Sequence, residues 1–349
     1  MELIEELIES RNMNGTKVAL INRVLPAETL SMILALLRPR DLKAAVLVCR
    51  RWREVGESPV LWTWVHLRVG AFDHQEVDLK RLQRLRHVVL DWGRWNPGGV
   101  PVKSNRSRHN LLIQTIGRHP TISFLKVRYQ TDLGLVEPEI FRSLLIKLEQ
   151  IVMLGLNLEP EQGDILFSTI LDNTKLKRLH IVNNNLSSAD PQLLARAVSN
   201  IEDVQLENTE VTTEQATKMV KALATDQSKT KVLNLANNNL ASVDPQLMTE
   251  GIKQLKGVNL FKTHLSYDFI IAICASLQET NLEKVDLRQN GSFGEVEAKI
   301  LNRWQKLFTG WLGIGEEDDP ADPWINILAN IAMEWNGKEN AISIAIVNA

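Results

Sequence analysis

Along most of the chain one order of positions recurs: an apolar residue, two others, an apolar residue, one other, an apolar residue. The copies start at Leu85, Ile122, Leu148, Leu176, Ile201, Thr230, Leu255 and Leu282, and from Ile122 onward they lie 26, 28, 25, 29, 25 and 27 residues apart. Alternating apolar positions such as Leu179 and Ile181 predict a short strand with one buried face. An amide or hydroxyl residue follows (Asn184, Thr209, Asn238, Thr263, Asn290) where the chain must turn, and its side chain can bond backbone groups the turn leaves unpaired. Past the turn, Asp190 and Asp244 stand where a helix N-cap belongs, with Pro191 and Pro245 at the first helical position. Leu193, Leu194, Ala197 and Val198 then supply an apolar stripe.

The segment LHIVNNNLSSADPQLL from Leu179 returns 54 positions later as LNLANNNLASVDPQLM from Leu233, with ten of sixteen residues identical. Short and long spacings alternate, and EPEIFRSLL from Glu137 fits the Asp-Pro class with one residue inserted, so the unit is a duplicated pair of repeats. One strand-turn-helix cannot bury its apolar face alone, whereas stacked copies share a continuous core. The period is that of leucine-rich repeats, about 20 to 29 residues. An α/β horseshoe over residues 65–295 is predicted, with parallel strands on the concave side and helices on the convex side. Residues between the buried strand positions then face the concavity, which makes Phe124, Lys126, Arg128, Leu154, Arg178, His180, Asp203, Glu207, Asn234, Asn259, Phe261 and Arg288 the candidate contacts to a bound protein.

The array has irregular edges. Between Leu85 and Ile122 the gap widens to 37 residues, filled by WGRWNPGGVPVKSNRSR, which reads as an exposed loop at about residues 93–108. Around it Lys80, Arg81, Arg84, Arg86, Arg94, Lys103, Arg106 and Arg108 make a local positive field, either plain solvated surface or a reader of acidic or phosphorylated segments. Trp62, Val65 and Leu67 fit a degenerate first repeat. Beyond Leu287 the pattern fades, and residues 296–349, with Trp304, Trp311, Trp324 and Trp335, are a cap or a tail.

Ahead of the repeats the period changes to helical. Pro26 opens a helix with the stripe Leu30, Ile33, Leu34 and Leu37, and Pro39 ends it. Asp41 caps a second helix carrying Leu42, Ala45, Val46, Cys49 and Trp52, stopped by Gly56. About 40 residues is close to the size below which a domain needs help to be stable. This head is dense in Leu, Ile, Val and Trp, so part of its apolar surface must meet the repeats or another chain.

Residues 25–62 closely resemble an F-box, with Leu25-Pro26, Glu28, Leu30, Ile33, Leu37, Asp41-Leu42, Val48-Cys49, Arg51-Trp52 and Leu61-Trp62 at the motif's positions. Standing before leucine-rich repeats, they give the layout of the F-box and leucine-rich-repeat family. The resemblance implies a three-helix F-box at 25–64 after an extension at 1–24. It also implies a substrate receptor of an SCF-type ubiquitin ligase, whose partners are a Skp-family adaptor, through it a cullin, and a substrate protein. Carried over, Leu25, Pro26, Leu30, Ile33, Leu37, Leu61 and Trp62 form or support the adaptor-binding face. Many members have cysteine at the repeat turn; the Asn and Thr found here resemble the ribonuclease-inhibitor style instead. The alternative is a scaffold or inhibitor using the repeats alone, with the head as an N-terminal cap packed on the first repeat.

Composition sharpens this. A net charge of −2 argues against generic nucleic-acid binding. Cys49 and Cys274 are too few for a disulfide framework or a structural zinc and fit a reducing compartment. No apolar run reaches the roughly 18 residues of a membrane helix, and MELIEELIES is acidic where a secretory signal is basic. Cytoplasm or nucleus is expected. Metal-ligand spacings and phosphate-binding glycine loops are missing, so a non-catalytic interaction protein without metal or cofactor is predicted.

Overall fold

The computed structural model describes residues 25–35, 37, 39–58, 61, 64–68, 85–91, 106–128, 136–156, 158, 160–291, 300 and 311–313. The head holds α1 (Ala27–Ala35), α2 (Pro39–Ala45) and α3 (Arg50–Gly56). Leu30, Leu34, Leu42 and Ala45 form its core, with Leu37, Trp52, Val55 and Leu61 packed around them. Arg51 donates to the Leu25 carbonyl and ties the start of α1 to α3. The single long helix expected after Asp41 is in fact two. The chain leaves α2 after Ala45, and Cys49 is extended at φ −160° as the N-cap of α3. The break lets α3 fold back on α1, so that Gly56 packs against Val46, Leu34 and Leu42 with no room for a Cβ.

The repeats build one parallel sheet. Strands β1 (Trp64–Arg68), β2 (His87–Asp91), β3 (Phe124–Arg128), β4 (Gln150–Leu154), β5 (Arg178–Val182), β6 (Asp203–Gln205), β7 (Val232–Asn234), β8 (Gly257–Asn259), β9 (Lys284–Asp286) and β10 (Trp311–Gly313) stand in chain order. Their registers are unbroken: Phe124, Gln150, Arg178, Asp203, Val232, Gly257 and Lys284 lie in one row. The sheet reaches past the periodic sequence at both ends, since β1 pairs with β2 and β10 with β9. Helices α4 (Arg106–Arg118), α5 (Pro138–Leu145), α6 (Pro160–Asp172), α7 (Pro191–Ser199), α8 (Thr213–Leu223), α9 (Pro245–Ile252) and α10 (Tyr267–Ser276) alternate with the strands and pack each on the next. One core runs from Leu85 to Leu312 between the two layers. The basic positions from Lys80 to Arg84, with Arg94 and Lys103, lie outside the described residues, as do Trp304, Trp324 and Trp335.

The paired repeat has a physical basis in the turns. Asn238 is 2% exposed; its Oδ1 accepts from the backbone N–H of Thr209 at 3.2 Å and of Val211 at 3.0 Å, in the preceding repeat. Its Nδ2 donates to Leu206 at 2.7 Å and to Leu235 at 2.9 Å. Asn290 repeats the arrangement on Thr263, Leu265 and Leu260. Asn184 does so on Leu156 and Met153. The threonines bond inside their own turn, Thr209 to Leu206 and Thr263 to Leu260. An asparagine repeat therefore locks the turn before it, which explains the two-repeat period. The residue just before each turn Asn or Thr is left-handed: Asn183, Asn208, Asn237, Lys262 and Gln289 have φ between 51° and 57°, and the threonine turns add Glu210 and His264 at 55° and 62°.

The helix starts follow their sequence. Asp190 accepts from the N–H groups of Gln192 and Leu193, and Asp244 from Leu247. Thr212 and Gln215 form a capping box on α8, a Thr-x-x-Gln signal legible from spacing. Lys147 closes the other end of α4, donating to the carbonyls of Ile116, Gly117 and His119 at 3.0, 2.6 and 2.6 Å. Burial pushes its ammonium down to about 8.

Candidate functional site

Two surfaces carry the chemistry that the sequence points to. The first is on the head. Leu30 and Leu34 turn inward on α1, while Met32, on the opposite side of the helix, is 72% exposed. The break between α2 and α3 turns Leu47 and Val48 outward, 75% and 54% exposed. Pro26 is exposed, and Leu25, Ile33, Leu37 and Leu61 are half-buried. Leu30, 2% exposed, supports this surface from inside and cannot touch a partner. Trp62 lies outside the described residues. Met32 and Leu47 escaped the sequence reading because they fall off the apolar stripe; large apolar residues off-stripe on an amphipathic helix were the available signal.

The second surface is the concave face of the sheet. Its central row, Val89, Lys126, Val152, His180, Gln205, Asn234, Asn259 and Asp286, is at most 5% exposed. Strands about 4.8 Å apart flank each of these residues on both sides, and inward curvature presses the side chains together. Polar members of the row are put to internal use. Asn234 accepts from the Ala236 N–H, Asn259 from the Phe261 N–H and Asp286 from the Arg288 N–H, each ending its strand. Arg288, 5% exposed, adds a bidentate pair to Asp286 at 3.0 and 2.6 Å and lies 5.7 Å from the Phe261 ring centroid. Phe124 is buried beside Val89 and Val152, its ring 5.3 Å from that of His87. The concave set thus narrows: Phe124, Lys126, His180, Asn234, Asn259 and Arg288 are buried, which corrects the expectation that they all face outward to a ligand. Arg178 is exposed, and Arg128, Leu154, Asp203, Glu207 and Phe261 are partly so.

Two carboxylates on this face differ in company. Asp203 Oδ2 lies 3.5 Å from His180 Nε2 and 3.9 Å from Arg178 Nε, and its Oδ1 accepts from Gln205 at 2.7 Å. Burial pushes its pKa up, but His180, Gln205 and Arg178 together outweigh that and hold it below the usual carboxylate range. Among the described residues Glu207 has amides beside it, Asn234 and Asn237, the latter 3.4 Å away, and burial raises its pKa. Burial pushes the Cys274 thiol up to about 12, which keeps it from acting as a thiolate nucleophile. Among the described residues no helix is long and apolar enough to cross a membrane.

Residues 23–68 match the F-box-like family, a span that takes in α1 to α3 and the first strand of the sheet. No curated protein matches the chain. Among solved structures, the leucine-rich repeat-containing protein LegL7 from Legionella pneumophila is similar over 76% of this chain and 97% of that one, at 15% identity and a TM-score of 0.42. The chain joins an F-box-like head to a leucine-rich-repeat solenoid whose strands, turns and shared core stand in its own geometry.

Proposed function

We propose that this protein is the substrate-recognition subunit of an SCF-type ubiquitin ligase. Its head docks a Skp-family adaptor and, through it, a cullin, while the solenoid holds the protein to be ubiquitylated, in the cytosol or nucleus. The observation that carries the reading is the exposure of Met32, Leu47 and Val48 on a head that the F-box-like family matches. Each such side chain gains roughly 1.5–3 kcal/mol when fully buried, a driving force for a partner. No catalytic step falls to this chain; it supplies proximity between substrate and the transferring partners.

The scaffold alternative expects Leu30 and Ile33 against the first repeat. Leu30 packs instead among Leu34, Leu42 and Ala45 of the head itself. Co-purification tests the ligase reading. The wild-type chain is expected to retain a Skp-family adaptor, and Leu25→Ala with Pro26→Ala to lose it. A wild-type chain that retains none overturns the proposal.

A further inference from the structure

The edge of the solenoid where helices lead into strands carries a cavity that neither surface above uses. The residues just before the strands stand side by side there: the Lys231 N–H donates to the Glu202 carbonyl, Lys256 to Lys231 and Glu283 to Lys256. The lateral order is therefore Glu202, Lys231, Lys256, Glu283. The connection from α8 to β7 covers 224–231, whereas those before β6 and β8 cover only 200–202 and 253–256. Its extra length forms a turn in which the Ser228 N–H donates to the Thr225 carbonyl. The turn is tied down where the Lys229 N–H meets the Ser199 carbonyl at 2.8 Å and Thr230 Oγ1 meets the Val198 carbonyl at 2.8 Å. Thr225, Asp226 and Ser228 make one wall of a cavity of about 600 Å³, and the row from Glu202 to Glu283 lines it. The result is an open trough running across four repeats.

The signs along the row do not alternate. Lys231 and Lys256 adjoin, about 4.8 Å apart along the backbone ladder, and each turns away to a glutamate at one end. Lys231 Nζ lies 3.2 Å from Glu202 Oε1, and Lys256 Nζ lies 3.1 Å from Glu283 Oε1. All four side chains are more than half exposed, so water screens the pairs and each stays open to a further charge. Lys229 adds a third ammonium. Thr230 is buried between Lys229 and Lys231, both exposed, so the two lysines leave the chain on the same side. Lys229 has no carboxylate at ion-pair distance among the described residues, and Asp226 on the wall has no cation. The middle of the trough thus sets three ammonium groups against one carboxylate on its wall, while its two ends carry carboxylates.

We infer that this trough binds an extended segment of the substrate in which an acidic residue is flanked, two positions away on each side, by arginine or lysine. The acid sits among Lys229, Lys231 and Lys256, and the flanking cations reach Glu202 and Glu283. Strand geometry sets the spacing. From midway between Lys231 and Lys256 to either glutamate is one and a half strand spacings, about 7 Å, and two residues of an extended chain span about 6.8 Å. Side chains two apart leave an extended chain on the same side, so all three charges face the trough. The reverse order of signs is disfavoured, since it sets cation against ammonium and acid against glutamate. This rests on the solenoid being the substrate-binding part, as proposed above.

The test is fluorescence anisotropy of the full chain with a labelled Gly-Arg-Ala-Glu-Ala-Arg-Gly peptide. Its controls are Gly-Ala-Arg-Arg-Glu-Ala-Gly, of equal composition and different spacing, and Gly-Glu-Ala-Arg-Ala-Glu-Gly, with the signs exchanged. The first peptide is expected to bind at least about fivefold more tightly than either control. Lys229→Ala with Lys256→Ala is expected to weaken it at least about fivefold, and Glu202→Gln with Glu283→Gln about threefold. All four side chains are exposed, so these variants keep the fold. No saturable binding of the first peptide, equal affinity for either control, or unchanged affinity in the lysine variant overturns the site. The assay needs no adaptor: its failure removes the trough as a binding site and leaves the ligase reading, while failed adaptor capture removes that reading and leaves the peptide preference.

Discussion

The solenoid and the head solve the same burial problem with opposite results. In the solenoid, each repeat covers its neighbour, so one core runs from Leu85 to Leu312, and the buried polar side chains that tie the turns and helix starts together, Asn238, Thr209 and Gln215, have partners. Among its described residues the head buries four apolar side chains, Leu30, Leu34, Leu42 and Ala45, and leaves Met32, Leu47 and Val48 in solvent. A stack can end its own exposure by adding copies; three short helices cannot. What this teaches is where to look for partners. Exposed apolar groups on the unit that cannot grow are the place to look for a docked partner, and on the stack the place to look is the charge and the few residues the strands leave open.

The largest break in this comparison comes from removing the lock between repeats. Asn238→Ala leaves the backbone groups of Thr209, Val211 and Leu206 without their side-chain partner in a dry interior. A loss of about 3–5 kcal/mol is expected in urea unfolding. Thr209→Val removes a hydroxyl that bonds within its own turn, at about 1 kcal/mol. If the two variants lose the same stability, the asparagine is not the element that couples the pair.

On the head the expected effect moves from stability to binding. Leu47→Asp with Val48→Asp alters side chains that touch little of the head's core, so unfolding is expected to change by about 0.5 kcal/mol or less. Adaptor retention is expected to fall at least about tenfold, because two charges would have to be desolvated at the contact. Undiminished retention with normal folding would place the docking surface elsewhere and dissolve the contrast between head and stack.

Much of this was legible in the sequence because repetition multiplies weak signals. The strands of Phe124 to Arg288, the Asp-Pro helix starts and the Asn/Thr turns each recur, and their positions match the registers observed. What stayed hidden depends on lateral neighbours, which one repeat read alone does not contain. Asn234 and Asn259 look like outward-facing amides along their strands, yet adjacent strands bury them and the residue two ahead uses their oxygens. That Glu207 meets amides and, among the described residues, no cation emerges only when the neighbouring repeats are set beside it. On the head, the period of three and four continued through Cys49, so the break that exposes Leu47 and Val48 left no mark in the apolar pattern.

The smallest and most discriminating effect separates the two carboxylates of β6 and its extension. Asp203 is held below its ordinary range in the folded chain, so its contribution is present above the unfolded value of about 3.9 and is lost as pH falls through the lower folded value. Asp203→Asn should therefore be least stable relative to wild type near pH 5.5, with the gap closing on acidification. Glu207 is raised, so the folded chain holds its proton more tightly than the unfolded one, and its charge opposes folding above that folded value. Glu207→Gln should be more stable than wild type near pH 5.5, and that advantage should shrink as pH falls toward the unfolded value of about 4.3. Urea midpoints from about pH 3 to 5.5 read both slopes. The sign, not the size, carries the argument: stability differences of the same sign in the two variants would mean that Glu207 has a counter-charge after all and that the two carboxylates are not held differently.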